Sequence, residues 1–183
     1  MSGFKGKVAI IGIGEVPTGK FPDRPCLQSC LESCRQAILD AGIRKDEIDV
    51  VIPTGTFYDR RFNTDLIFSK LVEELGLQGK AENFQVFSGG ASSETMLKTA
   101  CGLITAELAK VVLCVQCDKT GSAPVQEMIN LFATFGIPDE WETPYGFFMA
   151  ASGSLPATRY MYETCLLYTS PSPRDLSTSR MPS

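Results

Sequence analysis

Residues 84–115, FQVFSGGASSETMLKTACGLITAELAKVVLCV, decide how the fold is interpreted. The first four residues predict a short strand, and residues 88–93 (SGGASS) predict a tight turn, because glycine tolerates backbone conformations that other residues avoid. A helix is predicted from this turn to about Lys110; Lys98 is the only charge across its middle, so burial on more than one face is expected. Residues 111–115 then predict a buried strand, and a strand–helix–strand unit favours a right-handed crossover between parallel strands.

The rest of the chain up to residue 164 continues this alternation of strands and helices. The other predicted elements, in order, are a buried strand at 8–11, a helix from Pro25 to Gly42, a buried strand at 48–52, a helix capped by Asn63 or Thr64 and ending at Gly76, an irregular stretch at 118–143 and a helical segment at 147–163. The predicted fold class is therefore α/β, with a mostly parallel βαβαβαβ sheet layered between helices, in one domain spanning residues 1–164.

The composition excludes several classes of function. The chain has 183 residues, 17 basic and 21 acidic groups, a net charge of −4 and no histidine. An acidic balance argues against a nucleic-acid binder, and the lack of histidine excludes a Ser-His-Asp triad, a Cys-His pair or a His-ligated metal within this chain. No apolar run approaches the roughly 18 residues of a membrane span, so no membrane association and a cytoplasmic location are expected.

Three glycine or cysteine motifs have plain structural interpretations. Residues 14–20 (GEVPTGK) nearly match a phosphate-binding loop, but Phe21 stands where Ser or Thr would hold Mg²⁺. Cysteines 26, 30 and 34 are one helical turn apart, which favours buried small side chains over a metal site. Cys114 and Cys117 have CxxC spacing, but residues three apart in or beside a strand point to opposite faces, so no metal is predicted there either.

Residues 165–183, CLLYTSPSPRDLSTSRMPS, differ in kind from the rest. They have no helical or strand period, and they resemble a translated sequencing adapter. CLLYTSPSPRD matches the translation of a transposon-end adapter and SRMPS that of a flow-cell primer, and the three codons between them have the length of a sequencing index plus one adapter base. We expect this segment to be a non-native tail and the natural protein to continue beyond Thr164, which would make the chain an inactive fragment.

The order and spacing of several stretches resemble the N-terminal half of the thiolase superfamily. The branch that they resemble most contains the sterol-carrier-protein thiolases and the thiolase-like aldolases. The stretches are VAIIGIGEVPTGKFPDR at 8–24, ILDAGIRKDEIDVV at 38–51, FSGGASS at 87–93, AKVVLCVQCDKT at 109–120, TPYG at 143–146 and ATRYMYET at 157–164.

One position departs from that family. Thiolases carry a nucleophilic cysteine where the buried helix starts, and the matching position here is Gly90, which cannot form an acyl-cysteine. The neighbouring candidates for the site are Ser88, Gly89, Ser92 and Ser93. Helix-start amides in this turn can hold an acyl oxygen; the competing interpretation is a close-packed glycine turn with a serine cap.

The resemblance implies an acyl-CoA enzyme of lipid metabolism that makes or breaks a carbon–carbon bond. By family it is similar to acetyl-CoA acetyltransferases, and the missing cysteine points to the aldolase branch. It implies a coenzyme A thioester as substrate, no bound cofactor, a homodimer, and a small partner protein with an OB-fold and a zinc ribbon. Two alternatives stay open: a catalytically silent scaffold of the same fold, and an unrelated nucleotide-binding α/β domain.

Overall fold

A computed structural model describes residues 4–54, 67–133, 140–147 and 149–164. These residues form two units, one up to Ala123 and one from Pro124 onward. No helix among them is long and apolar enough to cross a membrane.

The first unit is built on a parallel sheet of three described strands. They are β1 (Val50–Pro53), β2 (Glu82–Asn83) and β3 (Val112–Val115), in the order β2-β1-β3. Both neighbours run parallel to β1. The predicted α/β class with a parallel sheet is therefore confirmed.

Helices cover both faces of this sheet because successive β1 side chains point to opposite sides. On one face, α1 (Cys26–Ala41) and α2 (Ile67–Leu75) pack around Val51 in one apolar cluster. On the other, α3 (Ser92–Thr105) packs against Val50 and Ile52 through Met96 and Ala100. The continuous apolar run in β1 follows from this double coverage.

The ends of α1 and α2 agree with the prediction, whereas α3 ends earlier than expected. Gly42 and Gly76 adopt left-handed φ values of 66° and 68° after α1 and α2. Helix α3 stops at Thr105 rather than near Lys110, because Glu107 itself adopts φ 60° and the Leu108 amide bonds back to the Leu103 carbonyl at 3.0 Å. This is a Schellman-type end without glycine. The expected cap of α2, at Asn63 or Thr64, lies outside the described residues.

The prediction of a buried strand at 8–11 is wrong. These residues form no strand, and Ile10 is 73% exposed. The segment lies along α1 instead, because the Ile13 amide donates to the Asp40 carboxylate at 2.8 Å and the Glu15 amide to Gln36 at 3.2 Å. The Ile13 and Glu15 amides are thus bonded to side chains of α1, and residues 8–11 pair with no strand that the structure describes.

The other strands are shifted along the chain. The strands predicted at 48–52 and 111–115 occupy 50–53 and 112–115. The strand predicted at 84–87 begins earlier, at β2, and continues only as an isolated bridge between Thr54 and Val86. The Glu82 amide donates to the Asp49 carbonyl at 2.8 Å, which fixes this earlier start.

Helix α3 is buried on one face only, contrary to the expectation of burial on more than one. Met96 and Ala100 are buried against the sheet, whereas Leu97 is 46% exposed. Within the described residues, the helix packs against this one sheet face.

The second unit contains two described helices. Helix α4 (Val125–Ala133) lies where an irregular stretch was predicted, so that prediction is wrong from residue 125 to 133. Helix α5 (Met149–Thr164) confirms the predicted helical segment, with Pro156 inside it. Residues 165–183, the expected non-native tail, lie outside the described residues.

Candidate functional site

The candidate site lies where the three parallel strands end. Thr54 follows β1 and stands between its two neighbours: its amide donates to the Val115 carbonyl at 3.0 Å, and it bridges Val86 on the other side. The turn at residues 88–93 begins two residues after Val86. In parallel α/β sheets, ligands bind at this carboxyl edge.

The turn is a single 3₁₀ turn, Gly89–Ala91, that runs directly into α3. Gly89 has φ 57°, which favours glycine there. The Ser92 hydroxyl holds the turn: it donates to the Gly89 carbonyl at 2.7 Å and accepts from the Ser88 amide at 2.9 Å. Ser92 is only 1% exposed, so its hydroxyl has a structural role and is not presented to a substrate.

Gly90 has room for a side chain. An added Cβ would meet no atom within 4 Å, and the backbone φ lies outside the left-handed range. Gly90 is exposed at the start of the helix. The glycine is therefore not required by packing or by backbone conformation at this position.

One of the remaining predicted candidates, Ser93, contacts a residue that the sequence analysis missed. Ser88 and Ser93 are exposed, and the Ser93 hydroxyl donates to the side-chain oxygen of Gln116, the residue after β3. The contact links the start of α3 to the end of β3. Gln116 could have been predicted as a site residue from the sequence, because it is a polar residue directly after a buried strand.

Thr54 was also missed by the sequence analysis. It is 2% exposed, and its hydroxyl oxygen has no hydrogen-bond partner within the described part of the chain. By the alternation of β1, its side chain lies on the sheet face that α3 covers. A buried hydroxyl without a partner is costly, so Thr54 is a candidate donor to a bound ligand.

The start of α3 is the electropositive part of the site. The Ala91 amide bonds to the Ser88 carbonyl at 3.1 Å, whereas the amides that open a helix, here those of Gly89 and Gly90, have no acceptor within it. Such amides and the helix dipole stabilise an oxyanion or a polarised carbonyl. The turn can thus stabilise negative charge on an oxygen, but with no histidine in the chain it has no imidazole base.

The near-match to a phosphate-binding loop is a packing feature. A Cβ on Gly14 would lie 1.9 Å from the Ser33 carbonyl oxygen, so glycine is needed for the close approach of this segment to α1. The first described helix after it begins only at Cys26. The amides at residues 14–20 therefore do not open a helix, as a phosphate cradle requires.

The side-chain environments confirm where the cysteines were predicted to lie, one group buried on α1 and the CxxC pair on opposite sheet faces. Cysteines 26, 30 and 34 belong to the apolar cluster of α1. Cys117 packs on that cluster and Cys114 on the opposite one, so the CxxC pair does point to two faces of the sheet. Among the residues that the structure describes, no three side chains form a metal-binding group.

A cavity of about 490 Å³ lies beside β3 and reaches Gln116, the residue that Ser93 contacts. It runs beside β3 between the segment around Gly12 and the helices, and its lining includes Ala37, Ile104 and Cys114. No residue of the 88–93 turn lines it. We therefore assign the candidate site to the carboxyl edge of the strands, which this cavity reaches at Gln116.

Comparison with known proteins shows which solved structures share this fold. The chain matches no protein-family model and no curated protein sequence. It is similar to the Ltp2-ChsH2(DUF35) aldolase, with a TM-score of 0.63 and 26% identity over 85% of this chain and 38% of that one. It is also similar to an acetyl-CoA acetyltransferase from Syntrophomonas wolfei, with a TM-score of 0.55 and 18% identity over 63% of this chain and 29% of that one.

These similarities define a thiolase-like α/β fold. The chain spans roughly a third of the length of these structures, at 38% and 29%. The two structures are named as an aldolase and an acetyl-CoA acetyltransferase, so the fold alone does not select one activity for this chain.

Proposed function

We propose that the chain is the N-terminal part of a thiolase-like enzyme that makes or breaks a carbon–carbon bond in an acyl-CoA without a cysteine nucleophile. The observation that carries the proposal is Gly90: the position at which the resemblance expects the nucleophile has no side chain, although the space around it is open. The similarity to an aldolase at 26% identity over 85% of the chain supports the aldol direction.

The proposed reaction is the retro-aldol cleavage of a 3-hydroxyacyl-CoA. A base removes the hydroxyl proton, the bond between the α and β carbons breaks, and its electron pair moves into the thioester as an enolate. The β carbon leaves as a ketone or aldehyde, and a proton returned to the α carbon gives the shortened acyl-CoA. No acyl group passes to the enzyme, so no cysteine is needed.

The residues of this chain would serve the thioester end of that reaction. The amides of Gly89 and Gly90, at the positive end of α3, would hold the thioester oxygen as it becomes an enolate. The buried Thr54 hydroxyl is available as a further donor at the same edge. The acid and base would come from sequence beyond residue 164.

The assembly and location follow the same proposal. We propose a homodimer of the whole protein, a small partner with an OB-fold and a zinc ribbon, and action in the cytoplasm, with coenzyme A thioester as substrate and no resident cofactor. Size-exclusion chromatography of the protein expressed from the complete locus, alone and with a neighbouring partner protein, tests this assembly.

The function is tested with the protein expressed from the complete locus. Incubation with 3-hydroxyacyl-CoA esters is expected to release a carbonyl product and a shorter acyl-CoA, with no mass added to any peptide spanning residues 84–101. Acetyl-CoA should leave that peptide unlabelled as well. A stable acetyl adduct on this peptide would overturn the proposal of chemistry without a nucleophile.

A silent scaffold of the same fold is the second candidate, favoured by the commitment of Ser92 to the turn. Both candidates are expected to bind acyl-CoA, but only the enzyme is expected to cleave it. If the complete protein binds acyl-CoA but cleaves none of the esters with or without its partner, the scaffold is correct. The Gly90→Cys variant provides a matched probe, because its new thiol should accept acetyl groups from acetyl-CoA if the site is properly formed around the thioester.

A further inference from the structure

Helix α1 and the end of β3 bring a group of thiols together. Cys26, Cys30 and Cys34 lie on the buried face of α1 and are each at most 2% exposed. Cys117, two residues after β3, packs on the same cluster but is partly exposed. One thiol of the group is therefore open to solvent and the others are not.

Several donors converge on Cys117. The Cys26 thiol donates to the Cys117 carbonyl at 3.2 Å, and the Ser33 hydroxyl lies 3.6 Å from the Cys117 sulfur. Cys30 belongs to the apolar cluster against which Cys117 packs, and its thiol interacts with the Cys117 sulfur. The positive charge of Arg24 acts on it as well, and the Arg24 Nε is buried without a partner among the described residues.

This environment favours the thiolate of Cys117. The hydrogen bond from Cys30 is the largest cause; with Ser33 and Arg24, it lowers the Cys117 pKa from 9.0 to about 7, against the opposing effects of burial and Asp118. The same bond raises the pKa of Cys30, so Cys30 remains the protonated donor.

We propose that Cys117 is a peroxide-reactive thiol and that Cys30 is its resolving partner. The Cys117 thiolate attacks one oxygen of hydrogen peroxide, the O–O bond breaks, and Cys117 becomes a sulfenic acid as hydroxide leaves and takes up a proton to form water. The Cys30 sulfur then attacks the sulfenic sulfur, a disulfide forms, and the sulfenic oxygen leaves as a second water. Two thiols are oxidised and one peroxide is reduced.

The inference is independent of the proposed acyl-CoA chemistry. Cys30 and Cys117 lie on the sheet face that α1 covers, whereas α3 and its opening turn lie on the opposite face. Neither cysteine belongs to the candidate site, so oxidation of the pair can be tested whatever substrate the complete protein uses.

Cys114 is a matched control within the same chain. It is also partly exposed and lies three residues from Cys117, but burial raises its pKa to about 11. At pH 7 a larger fraction of Cys117 than of Cys114 is therefore thiolate, and Cys117 should be alkylated at least about tenfold faster. Isotope-coded iodoacetamide and peptide mass spectrometry measure both rates in the unmodified chain. Rates within about threefold of each other would overturn the proposal.

The resolving role is tested by peroxide treatment of the full chain. We expect an intramolecular Cys30–Cys117 disulfide, identified by peptide mapping. The Cys30→Ser variant should instead accumulate a dimedone-reactive sulfenic acid on Cys117, whereas Cys34→Ser, one helical turn away, should still form the disulfide. A disulfide between other cysteines, or no oxidation product on Cys117, would refute the proposed pairing of Cys117 with Cys30. If Cys30→Ser does not fold, mapping of the unmodified chain decides the question alone.

Discussion

Replacing Ser92 with alanine removes the side chain that closes the glycine turn onto α3. The hydroxyl makes two hydrogen bonds, at 2.7 and 2.9 Å, and Ser92 is 1% exposed. Two such bonds contribute about 2 kcal/mol together, and the better helix propensity of alanine returns about 0.5 kcal/mol. We add no desolvation penalty for the Ser88 amide, because Ser88 is exposed and water can replace the lost acceptor. The expected loss in the free energy of unfolding is therefore about 1.5 kcal/mol.

Urea unfolding followed by far-UV circular dichroism measures this loss. With a denaturant dependence of about 1.5 kcal/mol per molar urea, the midpoint should fall by about 1 M. Ser93→Ala is the matched control, because Ser93 is exposed and its hydroxyl bonds to the side chain of Gln116 and not to the backbone of the turn. If Ser92→Ala costs no more than this neighbour, the hydroxyl does not hold the turn and our account of the site geometry is wrong.

Three further outcomes are expected. Gly14→Ala should destabilise the chain by about 1–3 kcal/mol in the same urea assay, since its Cβ would lie 1.9 Å from a backbone oxygen, whereas Gly90→Ala should change it by less than about 0.5 kcal/mol; equal effects would contradict the packing argument. The backbone amides of Val111 and Lys110 hold the pKa of Asp49 below its usual value, so the stability from this carboxylate is present above about pH 4 and is lost as pH falls through the lowered folded pKa. Asp49→Asn should therefore reduce the loss of stability on acidification, and an unchanged dependence of stability on pH would refute this role of Asp49. Amplification of the genomic locus across codon 164 should yield no sequence for residues 165–183, and recovery of CLLYTSPSPRD from genomic DNA would refute the adapter interpretation.

Local sequence signals predicted the helices better than the strands. Pro25 and Gly42 correctly bracket α1 because each acts through its own backbone. The end of α3 was missed because Glu107, a residue that rarely adopts a left-handed φ, ends the helix. Helix α4 was missed because prolines and glycines around it suggested an irregular stretch, although Pro124 directly precedes its first residue.

The features that sequence could not supply depend on distant partners. The apolar residues 8–11 are composed like a strand, but composition does not say which edge, if any, will pair with them. Thr54 becomes a candidate site residue only once β2 and β3 flank β1. Gly90, in contrast, could be identified from the sequence by its place in the turn at 88–93 and by the resemblance to the thiolase superfamily. Only the structure shows that the space around it is open.

The parallel pairing of β1 with both neighbours sets an order for folding during synthesis. Val51 pairs with Asn83 on one side and with Leu113 on the other, so the central strand leaves the ribosome well before either partner. At 5–20 residues per second, the roughly 60 residues separating β1 from β3 take about 3–12 seconds to make. During that interval the apolar residues of β1 can be covered only by elements already made, which are α1 and then α2 on the Val51 face. This high contact order predicts slow folding, with β3 docking as the late step.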